Sequence, residues 1–77
     1  MFAIIVGGGR VGSYLAEQLL ADGHRVSVVE KRHDILEKLH KEVPGAQVFE
    51  GDGSDPEVLE KAGANKADLL AAVTGED

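Results

Sequence analysis

Residues 2–12 read Phe2-Ala3-Ile4-Ile5-Val6-Gly7-Gly8-Gly9-Arg10-Val11-Gly12, and the fold turns on them. Phe2 to Val6 is an almost wholly apolar run with β-branched residues, closed by three glycines, which reads as a buried strand. Gly7-Gly8-Gly9-Arg10-Val11-Gly12 holds the pattern G-x-G-x-x-G, directly after that strand and at the opening of a helix. Gly7 permits the tight turn off the strand. Gly9, with no side chain, lets a diphosphate approach the backbone, and Gly12 lets the helix lie near the sheet. Unpaired N–H groups at the helix start, with the helix dipole behind them, favour phosphate oxygens.

Downstream, residues 10–22 carry Val11, Leu15 and Leu19 at spacing four, flanked by Ala16 and Leu20, which predicts one apolar helix face ended by Asp22-Gly23. Arg25 to Glu30, with Val26, Val28 and Val29, reads as a second strand. Asp34 to Glu42 reads as a second helix on Ile35, Leu36 and Leu39, completed by Val43 and broken by Pro44-Gly45. Ala46 to Glu50 is a third strand. Ser54 or Asp55 then caps a third helix, with Pro56 in its first turn, Val58, Leu59 and Ala62 on its buried face and Gly63 as its stop. Asp68 to Val73 is a fourth apolar run. Strands alternating with single helices predict an α/β half Rossmann fold, β-α-β-α-β-α-β, over residues 1–77 as one domain. Right-handed crossovers order its parallel sheet 3-2-1-4, with two helices on one face and the third alone on the other, which is left incompletely covered.

Glu30 ends strand two eighteen residues after Gly12. The dinucleotide fingerprint wants a carboxylate at about 20 residues, accepting hydrogen bonds from ribose hydroxyls. A carboxylate there repels a 2′-phosphate. Lys31 and Arg32 beside it read either as solvated residues at a helix entrance or as partners of such a phosphate should Glu30 turn away.

Composition excludes other classes. The chain has no cysteine, so neither a disulfide framework nor a cysteine metal site is available. Eight Lys and Arg against 14 Asp and Glu give a net charge of −6, which argues against sequence-independent binding to nucleic acid or anionic membrane. No apolar run approaches the roughly 18 residues of a membrane span, and no basic region precedes the apolar start, so the expected location is the cytoplasm. His33 and His40 are seven apart, about 10 Å along a helix axis, too far for a shared metal. His24 falls in a helix-to-strand turn and Tyr14 on helix one, so no proton-transfer residue is in view for an NAD-dependent oxidoreductase, the main competing class. An engineered minimal scaffold would carry the same motifs.

With the loop, Val28-Val29-Glu30, Gly51-Asp52-Gly53-Ser54-Asp55-Pro56-Glu57-Val58-Leu59 and Ala64-Asn65-Lys66-Ala67-Asp68 in hand, the sequence resembles the TrkA N-terminal domain family. This family is the nucleotide-binding half of the regulator of potassium conductance (RCK or KTN) module. The resemblance spans essentially the whole chain, and the Gly-Asp-x-Ser-Asp-Pro-x-x-Leu segment is its most particular part. It implies a ligand-sensing domain of potassium uptake systems and channels, not an enzyme, that binds NAD(H), ATP, ADP or AMP. By position, Gly7, Gly8, Gly9, Arg10, Val11 and Gly12 would surround the phosphates and Glu30 would hold the adenosine ribose. Asp52 and Ser54 would lie near the adenine edge, and Thr74 near the far phosphate or second ribose. Asp52 reads equally as an Asx-turn residue, and Asp55 better as a helix cap.

The family's domain usually runs through two further strands and helices. The resemblance therefore leads us to expect a truncated or minimal version, in which ADP or AMP binds nearly as well as NAD. The uncovered sheet face and the open edge strand four, whose Leu69 to Val73 carries no protecting charge, together predict a homodimer through one or the other, or pairing with a membrane transporter subunit.

Overall fold

Phe2–Val6 (β1) sits inside the sheet with a neighbour on each side, which explains why it carries no charge. Ala3, Ile4 and Ile5 are fully buried, as a strand covered on both faces requires. The computed structural model describes residues 1–73. After β1 come Arg10–Ala21 (α1), Arg25–Glu30 (β2), His33–Glu42 (α2), Gln47–Glu50 (β3), Pro56–Ala62 (α3), a 3₁₀ turn at Ala64–Lys66 and Leu69–Ala72 (β4). The four strands form one parallel sheet in the order β3-β2-β1-β4.

The two faces carry separate cores. On one, Ile5, Val26 and Val28 pack with Ala16 of α1 and Leu39 of α2. On the other, Phe2, Ile4 and Val29 pack with Ala62, Val58 and Leu59 of α3. Two helices on one face and one on the other is the arrangement expected from right-handed crossovers. The incompletely covered region is β4, and it is open on both of its sides. Leu69 and Leu70 point to opposite faces and are 41% and 53% exposed, whereas α3 and the 3₁₀ turn seal the second face beneath Phe2 and Ile4.

Helix α1 departs from the expected stripe. Val11 is 50% exposed, and the buried positions are Gly12 and Ala16, with Leu15, Leu19 and Leu20 half-buried beside them. The reason is the closeness of the approach. The helix starts so near the end of β1 that a Cβ at Gly12 would collide with the Gly7 carbonyl oxygen. Only the smallest residues fit the line of contact, and spacing-four leucines drift to its flank because a helix repeats every 3.6 residues. The chain enters this contact through Gly7 at φ 111°, a left-handed conformation that a side chain would strain. Further along, Asp55 rather than Ser54 caps α3, accepting the Glu57 N–H at 2.9 Å, and Gly63 stops it at φ 103°.

Gly12→Ala should therefore cost about 2 kcal/mol or more, roughly 10 °C in Tm for a domain of this size. Gly23→Ala, where nothing lies within 4 Å of the added carbon, should cost only the strain of its φ of 88°, about 1 kcal/mol. Thermal melts followed by circular dichroism compare the two.

Candidate functional site

Parallel strands deliver their C-terminal ends to one edge of the sheet, and the loops beyond β1, β2 and β3 meet there. The loop after β3 folds back over β1. A Cβ at Gly53 would strike the Val6 side chain, and one at Gly51 would crowd Val58 of α3. These contacts give the Gly51-Asp52-Gly53 segment a steric reason for its glycines. Between this loop and the glycine loop lies a cavity of about 500 Å³, with Val6 and Val29 among its apolar walls.

Gly7, Glu30, Lys31, Asp52 and Ser54 of the expected residues all line this cavity. Gly8, Gly9 and Arg10 line a second depression of about 200 Å³ on the other side of the loop, against Lys38 and Leu39 of α2. Val11 and Gly12 line neither, and Thr74 lies outside the described residues. Val6, Val29, Gly51 and Gly53 are wall residues that the motif reading did not assign to the cavity. The paired glycines around Asp52 were the signal available for the last two.

Glu30 is the chemical centre. Its side chain is 3% exposed, and its Oε1 accepts the Gly8 N–H at 2.7 Å. Its Oε2 accepts the backbone N–H of Arg32 at 2.8 Å and the Arg32 Nε–H at 2.9 Å. Burial alone would raise this carboxyl's pKa. The bonds from Arg32 and Gly8 and the guanidinium charge reverse that and lower it from 4.5 to about 2. Gly8 is wedged between the Glu30 side chain and Leu39, where a Cβ would collide with the leucine, so the loop N–H is pressed onto the carboxylate. Asp52 forms the Asx turn that was one of its two readings. Its Oδ1 accepts the Ser54 N–H at 2.9 Å and the Ser54 hydroxyl at 2.8 Å, and these bonds lower its pKa. The start of α1 has no side-chain cap, so its first N–H groups are left to a ligand or solvent.

At the rim, His33 lies 3.2 Å from Glu50 and 3.4 Å from Glu37. The hydrogen bond to Glu50, then the charges of Glu50 and Glu37, raise its pKa above 6.5. His24 sits at the opposite end of the strands, 3.2 Å from the amino terminus, and Tyr14 is 63% exposed on α1. No histidine or tyrosine lines the larger cavity. Among the described residues no cluster of three or more His, Asp or Glu side chains is arranged to hold a metal, and no helix is long and apolar enough to cross a membrane.

Gly7 at the start of the glycine loop, the Glu30 carboxylate and the Gly51–Ser54 loop thus line one cavity. The family model described as TrkA-N domain matches residues 3–77. The chain belongs to the TrkA-N domain family. The TrkA-N chain is 40% identical over all of its 77 residues to the Trk system potassium uptake protein TrkA homolog of Pyrococcus abyssi, covering 34% of that protein. It is likewise 40% identical to the homolog of Methanothermobacter thermautotrophicus, covering 35%. Against the Trk system potassium uptake protein TrkA of Vibrio alginolyticus it is 40% identical and covers 17%. This TrkA-N chain therefore spans from about a sixth to about a third of the length of these curated relatives.

Two titrations follow from the geometry. The folded pKa of Glu30 is depressed, so its contribution is present above about pH 4.5 and is lost as pH falls toward 2. The stability advantage of the wild type over Glu30→Gln, up to about 3 kcal/mol at pH 6, should shrink through that window in urea titrations. His33 is shifted the other way, so its ion pairs stabilise below pH 6.5 and fade as pH rises through its folded pKa. NMR should find His33 titrating above an ordinary histidine, and Glu50→Gln should bring it back down.

Proposed function

We propose that this chain is a nucleotide-sensing module of a potassium uptake system. It binds the adenosine phosphate part of NAD(H), ATP, ADP or AMP and carries out no catalysis. The observation that carries the reading is the cavity of about 500 Å³ lined by Gly7, the Glu30 carboxylate and the polar Asp52-Ser54 turn, which supports Glu30 as an acceptor for ribose hydroxyls. The residues present suit such a ligand. Val6 and Val29 offer an apolar wall to a purine, Asp52 and Ser54 offer polar groups at its edge, and the uncapped start of α1 offers N–H groups to phosphate. Lys31 supplies local positive charge in a chain of net charge −6. A nucleotide would be held at its ribose by Glu30 and at its phosphates by the loop Gly7 to Gly12.

The potassium role is supported by the relatives, all Trk system potassium uptake proteins TrkA or their homologs. In this reading the module works at the cytoplasmic face of a membrane. It is held there by a transport subunit, and nucleotide occupancy biases transport. A second copy of the chain pairs along β4, whose Leu69 and Leu70 are exposed.

Isothermal titration calorimetry of the chain with NAD, NADH, NADPH, ATP, ADP and AMP tests the reading. Saturable binding of adenine nucleotides is expected, weakened at least about tenfold by Gly9→Asp, which puts a carboxylate where phosphate would sit. A folded chain that binds none of them overturns the proposal.

A further inference from the structure

The Glu30 carboxylate is already fully bonded by the chain itself. Besides the two backbone N–H groups of Gly8 and Arg32, it receives two bonds from the Arg32 guanidinium, Nε–H to Oε2 at 2.9 Å and Nη2–H to Oε1 at 3.2 Å. A carboxylate has about four lone-pair sites, and four donors fill them. A ribose diol brings two more O–H donors, so two of the four must leave.

The donors differ in what their exchange would break. The Gly8 N–H is fixed by the turn after β1 and by Leu39 packed against it. The Arg32 N–H belongs to the N-cap of α2, whose carbonyl already starts the helix by accepting from Leu36. The guanidinium hangs on a side chain that is 43% exposed and lines the cavity. Its two bonds to Glu30 are side-chain bonds, so exchanging them for ribose hydroxyls breaks no backbone hydrogen bond of the β1 turn or the α2 cap.

We propose that Arg32 is a built-in competitor for the ribose: its guanidinium occupies the acceptor positions on Glu30 that a nucleotide's 2′,3′-diol needs, and binding displaces it. The inference rests on the adenine-nucleotide reading above. Arg32 thus lowers affinity for ribonucleotides and narrows the preference for ribose over deoxyribose, because the 2′-hydroxyl gains a bond to Glu30 only by replacing one already made. This is a population effect. The fraction of chains with Glu30 open scales the apparent affinity.

The test is calorimetry with AMP and 2′-deoxy-AMP on the wild type, Arg32→Ala and Arg32→Lys, with the fold of each confirmed by circular dichroism. The ratio of the two affinities is the readout, because loss of positive charge near the phosphate affects both ligands alike and cancels. Removing the competitor should raise the preference for AMP by about threefold in Arg32→Ala, the scale of a partly exposed ion pair. Arg32→Lys keeps the charge but loses the fork, and should also raise it. In the wild type the Arg32 Nε–H resonance should shift with AMP and stay in place with 2′,3′-dideoxy-AMP. An unchanged ratio in both variants overturns the competitor and leaves the nucleotide reading standing. So does a preference for AMP that falls, which would make Arg32 a ligand contact. Failure of wild type and variants alike to bind AMP overturns both.

Discussion

A carboxylate that folding removes from water has to be met by donors from its own chain, because a buried charge without partners costs several kcal/mol. Glu30 imposes that demand at the junction of three segments: the end of β2, the loop that follows β1 and the start of α2. Its two oxygens collect the Gly8 N–H from one side and Arg32 from the other. The glycine loop is thereby tied to the neighbouring strand as well as to its own helix. Once Gly8 is drawn onto Glu30 and against Leu39, the loop divides the surface into two depressions, and the larger faces the Asp52-Ser54 turn. The shape of the cavity thus follows from the burial of one acid.

The other constraint is steric. Gly7 and Gly12 let α1 begin almost in contact with β1, and Gly53 lets the loop after β3 lie on Val6. Each close approach brings backbone where a side chain would otherwise stand. The combined result is a crevice in which glycine backbone alternates with the apolar Val6 and Val29 and a few polar side chains, as suits a ligand with both a flat apolar base and charged phosphates.

Strand order, the buried faces of α2 and α3 and the approach of Gly12 to the sheet could all be read from the sequence, because parallel topology follows from alternation and handedness. The Glu30 position could be read from its spacing to Gly12. That its acceptors are filled could not, since a count of residues says nothing about which donors a folded carboxylate collects. Val11 was misplaced because its chemistry suits a core while the geometry of α1 reserves the contact line for Gly12 and Ala16. Ser27 gave no warning either. It lies wholly buried among the valines of β2, its hydroxyl unpartnered, where the pattern alone shows only a small residue in a strand. The 3₁₀ turn at Ala64–Lys66 carries no strong capping signal, being held by short backbone bonds after Gly63.

The pairing of β1 with β4 joins residues 66 apart, as in Ala3 with Leu69, while β1 with β2 joins residues 23 apart. Closing the longer loop costs about 1 kcal/mol more in chain entropy. The strand that bears this cost has exposed leucines on both sides and is anchored at its start by the Phe2 N–H donating to Asp68 at 2.8 Å. In a single copy of the chain, with nothing paired along that edge, β4 should therefore dock last on folding and open first. The cavity walls stand on β1, β2 and the loop after β3, on the other side of that breathing edge. The chain can fray along β4 and still keep the pocket around Glu30 in shape.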